Sequence, residues 1–427
     1  MKVTVEDVGS LKKKMNVEVP EDLVTKEINT IYADLGKKAK IKGFRPGKVP
    51  RNILERYFKD HVKTEAVQKL IQDFYPQALS EVSLHPVSQP VIDPGELEKE
   101  KPFLFSAAFE VKPDIKVEGY IGVNVEAKRE EVTEEEVEAR LKGLQDLHSQ
   151  LKTIADARPI RNGDFTIIDY EAKIDGKPVE GGKAIDYTVE VGSGRFIPAL
   201  EERLVGLNPE EEKEIEVTFP EDYGYKKWAG KAVSFHVKIK EVKEKILPPL
   251  DDEFAKDLGD FSSLEELRAK LREETRREKD ALSESKTKDR ILDHLLETNP
   301  FEIPESLVEE QAKGMVSETK LRLASQGMEL KNTGVTEEKL LEDYQEQAKK
   351  QVRTFLILEN IAKQEGITVA QEEVEKRFQE ISERVNQKPD AVRRYYEKNG
   401  LIPEVEAGIL SNKTLTFLFD KANITYH

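Results

Sequence analysis

The sequence predicts a multidomain α+β protein: an N-terminal α+β domain, an antiparallel strand-rich domain with one short helix, and an all-α C-terminal domain. Three observations carry this reading. Apolar residues in the first 113 positions switch between strand and helix periods, those from 159 to 243 mostly alternate, and those after Leu247 recur at helical spacing. A chain of 427 residues has room for roughly three domains of about 150 residues each.

Val3/Val5 and Met15/Val17/Val19 alternate as strands do, and Leu23, Ile28, Ile31, Tyr32 and Leu35 then follow a helical period. A longer helix is expected from Pro50, a good first-turn residue, with Ile53, Leu54, Tyr57, Phe58, Val62, Ala66, Val67, Leu70, Ile71 and Phe74 on one stripe. Phe103, Phe105, Ala107, Phe109 and Val111 close the segment as a period-two strand.

In the middle, Ile185, Tyr187, Val189 and Val191 alternate with polar residues, as do Ile215, Val217 and Phe219 and then Val233, Phe235, Val237 and Ile239. Three half-buried antiparallel strands are expected. A short helix opens at Pro198, carries Leu200 and Leu204 on one face and stops at Gly206. Beyond Leu247, residues 262–290 hold 17 charged positions out of 29, with Leu264, Leu267 and Leu271 as a thin seam that buries little by itself. Better amphipaths follow around Val308 to Leu323 and Leu341 to Leu356.

Composition narrows function. Charged residues make up 36% and the net charge is −16, so contact with nucleic acid would need a local basic patch. Without cysteine there is no disulfide, thiolate metal site or cysteine nucleophile. His61, His85, His148, His236, His294 and His427 show no ligand spacing, so no metal and no cofactor are expected. The N-terminal residues lack the apolar core of a signal peptide, and no apolar run nears the ~20 residues of a spanning helix. A soluble, cytoplasmic protein without membrane contact is the expectation.

Between Gly36 and Arg51 the charge reverses: Lys37, Lys38, Lys40, Lys42, Arg45, Lys48 and Arg51 stand there with no acid. Pro46-Gly47 favours a tight turn that puts Phe44 and Arg45 at an exposed tip. A solvated charge run fits these residues, as does an aromatic–arginine anchor for an interface or a loop that meets phosphates. A P-loop does not fit, because three residues separate Gly43 from Gly47 where four are required and Val49 stands where Ser or Thr should bind magnesium.

Gly43-Phe44-Arg45-x-Gly47-x-x-Pro50 in a basic loop, followed by a strand-rich unit and a helical region, resembles the bacterial trigger factor family over the whole chain. The resemblance implies a loop that docks on the large ribosomal subunit, with Gly43, Phe44, Arg45, Gly47 and Lys48 meeting ribosomal protein L23 and nearby rRNA. A basic residue is frequent in the family where Pro46 stands, so docking here leans on Arg45 and the lysines. The implied division is a ribosome-binding domain at 1–113, a linker at 114–149 with a helix from Thr133 to Gln150, an isomerase domain at 150–245 and a helical chaperone domain at 246–427.

Asp175-Gly176, Glu180-Gly181-Gly182, Val191-Gly192-Ser193-Gly194-Arg195-Phe196-Ile197-Pro198 and Phe219-Pro220-Glu221-Asp222-Tyr223-Gly224 resemble the FKBP-type peptidyl-prolyl isomerase domain, which implies an antiparallel β half-barrel with one short helix. Position by position, this FKBP-like likeness implies a catalytic pocket of Tyr170, Glu180, Tyr187, Ile197, Leu200, Tyr223 and Phe235. Tyr170, Tyr187, Leu200 and Phe235 would be apolar walls, Ile197 a backbone N–H donor, Tyr223 a hydroxyl donor and Glu180 a polar rim. An aromatic usually stands at the positions of Val179 and Leu200, which implies weak to moderate activity. The same residues would also suit the core of a half-barrel without activity.

No nucleotide motif is present, so a chaperone would act by passive binding of nascent and unfolded polypeptides. Met315, Leu323, Met328, Tyr344, Phe355 and Phe378 are dispersed among charges and suit either such binding or helix packing. The expected function is a ribosome-associated, ATP-independent chaperone and prolyl isomerase. A free isomerase and a scaffold with an inactive isomerase domain are the rivals, and a homodimer off the ribosome is left open.

Overall fold

The structure, a computed structural model, describes residues 1–427 except 40, 42, 43, 45–47, 99, 155–157, 222 and 224–227, and residue 180 by its backbone alone. Two compact units divide the chain: Met1–Lys128 with Glu284–His427, and Arg129–Ser283.

The first unit opens with a hairpin of β1 (Lys2–Asp7) and β2 (Lys12–Val19), then α1 (Glu21–Lys38), α2 (Arg51–Glu81), β3 (Val91–Pro94) and β4 (Phe103–Glu110). The antiparallel sheet runs β1-β2-β4-β3. Register pairs Met15 with Ala107, Val17 with Phe105 and Val19 with Phe103, so the alternating apolar residues of both strands share one face. Val24, Ile31, Leu54, Val62, Ala66 and Leu70 of the two helices cover it.

Pro50 caps α2 from the position before its first residue. One member of the expected stripe departs. The backbone at Phe58 is non-helical (φ −125°, ψ 16°), which breaks the regular rotation per residue, and the preceding Tyr57 points to solvent. Farther on, β5 (Asn124–Ala127) lies in the segment expected to be a linker.

The second unit contains α3 (Glu134–Leu147), β6 (Gln150–Thr153), β7 (Phe165–Ile174), β8 (Lys177–Glu190), α4 (Pro198–Leu204), β9 (Glu212–Thr218), β10 (Ala232–Ile246) and α5 (Asp252–Leu258). A capping box between Thr133 and Glu136 starts α3. The helix ends at Leu147, short of the expected Gln150, which instead begins β6. Long β10 pairs with β7 along one edge. Along the other it pairs with β9 through Ala232–Lys238 and with β6 through Lys243–Ile246. A register shift at Ile239/Glu241 accompanies that change of partner and bends the strand.

Strand β8 also departs from simple alternation. Ile168 pairs with Tyr187 but Tyr170 with Ala184, so β8 carries one extra residue there, and Asp186 adopts φ 56°. This bulge throws the side-chain phase off by one. Ile185, expected on the inner face, is 65% exposed, whereas Val189 and Val191 past the bulge are buried.

Helix α6 (Leu264–Thr298) starts in the second unit and continues into the first. Its seam is better used than expected: Leu267 and Leu271 pack with Val137, Leu141, Phe254 and Ala255 of α3 and α5. Then come α7 (Glu305–Ser325), α8 (Glu337–Glu365), α9 (Gln371–Val385), α10 (Pro389–Lys398), α11 (Ile402–Lys421) and a terminal strand, β11 (Asn423–Tyr426). That strand pairs in parallel with β5, an addition to the helical region that its four residues were too short to signal. Small cores join the helices, one of them Val308, Ala312, Ala348, Val352 and Leu356 between α7 and α8. Among the described residues, no helix is long and apolar enough to cross a membrane.

Candidate functional site

The second unit gathers its aromatics around the start of α4. Pro198 occupies the first turn and Ile197 caps the helix in an extended conformation, so the Ile197 N–H belongs to the set without an intrahelical partner. Leu200 and Leu204 face inward one turn apart and are fully enclosed. Before the helix, Gly192 (φ 85°) and Gly194 (φ 69°) adopt left-handed conformations that turn the chain from β8 into α4.

Rings from three strands and the segments between them meet in a continuous chain. Tyr187 of β8 lies 4.9 Å from Phe196 between ring centroids, and Phe196 lies 5.3 Å from Tyr170 of β7. Tyr170 lies 6.3 Å from Phe235 of β10, which meets Trp228 at 5.6 Å. Phe219 joins Trp228 at 5.2 Å and Tyr223 at 4.6 Å. These spacings suit tilted and edge-to-face pairs, which add to the burial energy.

Of the residues expected in the pocket, Tyr170, Tyr187, Tyr223 and Phe235 therefore lie on one aromatic chain. Ile197 and Leu200 belong to the same apolar cluster. Leu200 and Phe235 are fully enclosed beneath it, Tyr170 is half-buried, and Tyr187 stands at the rim, 40% exposed. The Glu180 side chain lies outside the described residues. Burial pushes the Tyr170 phenol above its ordinary range, with Tyr187 adding to the shift, so this hydroxyl remains a neutral hydrogen-bonding group near neutral pH.

Sequence reasoning missed three rings, Phe196, Phe219 and Trp228, as pocket components, and missed Glu201. Phe196 sits within the quoted motif, and Trp228 is the only tryptophan of the chain. Glu201 is a charged side chain only 1% exposed. Its signal was spacing: it stands three residues before Leu204 and so shares the buried face of α4.

In the first unit, α1 and α2 bring the ends of the basic loop to one place. Gly43, Arg45 and Gly47, with Lys40, Lys42 and Pro46, lie outside the described residues. Phe44 is 38% exposed and Lys48 is exposed, while Ala39, Ile41 and Val49 at the loop's two roots pack against the core. Among the described basic residues, Lys37 and Arg51 are engaged within the fold. Lys37 bonds Asp34 at 2.8 Å. Arg51 bonds Asn29 at 2.8 Å and Glu55 at 2.9 Å and lies over the Tyr32 ring at 4.3 Å.

Of the apolar helical residues that suit either client binding or helix packing, Phe378 packs. It is enclosed with Val374 and Val392 between α9 and α10, because a ring of that size carries the small core those two helices share. Met328 is exposed, and Met315, Leu323, Tyr344 and Phe355 are half-buried.

An antiparallel sheet bent around one short helix, with aromatics collected at the helix start, defines an FKBP-type domain. Residues 156–240 match the family described as FKBP-type peptidyl-prolyl cis-trans isomerase. Residues 1–144 match Bacterial trigger factor protein (TF), and residues 263–420 match its C-terminus. The chain belongs to the bacterial trigger factor family, chaperones that carry an FKBP-type domain. It is 38% identical to the trigger factor of Geotalea uraniireducens over 99% of this chain and 98% of that one. With the trigger factor of Halothermothrix orenii it shares 39% identity over 98% and 99% of the two chains. A solved trigger factor chaperone superimposes with TM-score 0.56 at 21% identity, covering 99% of this chain and all of that one, a likeness of fold.

Proposed function

We propose that this chain is a ribosome-associated, ATP-independent chaperone of the cytoplasm that holds nascent polypeptides and isomerises their X-Pro bonds. The proposed division is ribosome binding at 1–113, a linker at 114–149, the isomerase at 150–245 and the chaperone region at 246–427. The observation that carries the reading is Phe44, an aromatic side chain presented to solvent from a basic loop whose roots are packed into a core. Leaving a large ring in water on a supported loop suits an interface anchor. Arg45 and Lys48, with Gly43 and Gly47, are the proposed contacts with protein L23 and rRNA phosphate.

For isomerisation, the barrier to be lowered is roughly 18–20 kcal/mol, set by amide resonance. A twisted amide is less dipolar than a planar one, so an apolar pocket binds it relatively better, and each ~1.4 kcal/mol of such preference gives a tenfold rate. Tyr170, Tyr187, Leu200 and Phe235 are the proposed walls and floor, the Ile197 N–H and the Tyr223 hydroxyl the donors to substrate carbonyls, and Glu180 the rim. Phe196, half-buried between Tyr170 and Tyr187, offers an aromatic ring beyond the positions of Val179 and Leu200, which supports activity despite those two aliphatic residues.

Co-sedimentation with ribosomes tests the docking. Wild type is expected to pellet with the large subunit and the Phe44→Ala/Arg45→Ala chain to stay in the supernatant. Equal pelleting of the two would sink the loop assignment. A protease-coupled assay on a prolyl peptide, run on the same wild-type chain, decides the isomerase half independently.

A further inference from the structure

A carboxylate buried without partners is costly, because the desolvation of the charge is several kcal/mol. Glu201 meets that cost in a specific way. Its Oε2 accepts the Gly194 N–H at 2.8 Å and its Oε1 accepts the Phe196 N–H at 2.9 Å. Both oxygens are thus spent on one short loop, and charge-assisted bonds of this kind are the stronger class. Between the two, the Arg195 N–H donates to Ser193 Oγ at 3.2 Å. The backbone from Gly192 to Phe196 is held mainly from inside the domain, by a side chain of the helix that follows it.

What the loop carries gives this bond pair its meaning. The Phe196 ring is the link between Tyr187 and Tyr170 in the aromatic chain. The next amide is that of Ile197. Glu201 itself is enclosed, 1% exposed, with both carboxylate oxygens engaged by the loop amides. We infer that Glu201 is a positioning residue of the isomerase, a carboxylate strap that fixes the Phe196 ring and the Ile197 N–H where a prolyl substrate meets them. This deepens the proposed function and rests on the reading that the domain is catalytic.

The test uses the full chain and two readouts. Glu201→Gln conserves shape but replaces one acceptor oxygen by an NH2 group that opposes an N–H. Misplacing a group by about 1 Å costs up to roughly a hundred-fold in rate, so kcat on a prolyl peptide should fall about ten- to a hundred-fold with KM little changed. Hydrogen–deuterium exchange should quicken in the peptide spanning 192–197 while β7 and β10 keep wild-type protection. Glu201→Asp, which keeps both oxygens on a shorter arm, should retain more activity than the Gln variant. An active wild type whose Gln variant turns over equally fast overturns this inference and leaves the proposed function standing. A wild-type chain without isomerase activity overturns both. Should the Gln variant fail to fold, exchange in the wild-type chain decides: protection at 194 and 196 supports the strap, and exchange there at free-peptide rates overturns it.

Discussion

In the sheet of β6 to β10 one apolar cluster runs unbroken from Ile160 to Val242, whereas α3, α5 and the first turns of α6 share six buried residues and a row of ion pairs. Arg268 meets Glu138 at 2.9 Å, Arg272 meets Glu134 at 2.5 Å, Lys279 meets Glu136 at 2.7 Å, and Arg140 meets Glu278. The sheet spends its apolar residues on one closed body that fixes the positions of aromatic rings. The helices hold together on a narrow seam with charges on either side. Dense packing of the first holds its rings in fixed positions, whereas the second leaves most of its charge at the surface.

The sharpest way to break this contrast is to cut a large side chain from each region. Phe235→Ala should destabilise the half-barrel by about 3–5 kcal/mol and Leu267→Ala the helical seam by about 2–3 kcal/mol. Urea unfolding followed by the fluorescence of Trp228, which packs on Phe235, reads the first. Far-UV circular dichroism reads the second. If both cost the same, the distinction between a dense and a narrow core fails.

A buried pair ties the entry to the half-barrel. Asp164 accepts both guanidinium nitrogens of Arg158, at 2.6 and 2.8 Å, and the Arg161 N–H at 2.8 Å. Burial works against its ionisation, but Arg158 and the Arg161 N–H outweigh it and hold the carboxyl below its usual range. With the folded pKa below the unfolded one, the stabilisation is complete above the ordinary aspartate value near ~4 and is lost as pH falls through the lower folded value. Asp164→Asn should therefore cost about 2 kcal/mol at neutral pH, discounted because Arg158 keeps some solvent. That cost should shrink as pH falls through the folded value. A deficit that persists unchanged into acid would show that the loss is one of packing.

The smallest effect is expected from the ion pairs. Arg268→Ala should cost less than about 1 kcal/mol, and less still at 1 M salt, where the Debye length falls to roughly 3 Å. A loss above about 2 kcal/mol in chemical denaturation would mean that charge, and not the leucine seam, holds α6 to α3.

Legibility in the sequence followed the same divide. Period-two strands such as Phe103 to Phe109 and Val233 to Ile239 were read correctly because one face of each is buried and the other solvated. The run at Ile185 misled, since a bulge inserts a residue without any change of composition. Tyr57 misled through a backbone break at the following residue. Of the aromatic cluster, Tyr170, Tyr187, Tyr223 and Phe235 were legible through motifs and strand alternation, Glu201 left only its spacing to Leu204, and Trp228 left no signal because a ring reaching in from a separate segment obeys no local period. The thin leucine seam was undervalued because its partners on α3 and α5 are set by tertiary contact.

Strands β5 and β11 bring Asn124 and Asn423 into hydrogen-bond contact across a separation of 299 residues, and the second unit is a single uninterrupted stretch lying between them in sequence. During translation at about 5–20 residues per second, β5 waits roughly 15–60 s for its partner to be made. The inserted unit can acquire its native form in that interval, while the body that encloses its ends in the chain stays open until the last strand arrives. The newly made protein is thus itself, for most of its synthesis, an incomplete polypeptide with an unpaired edge.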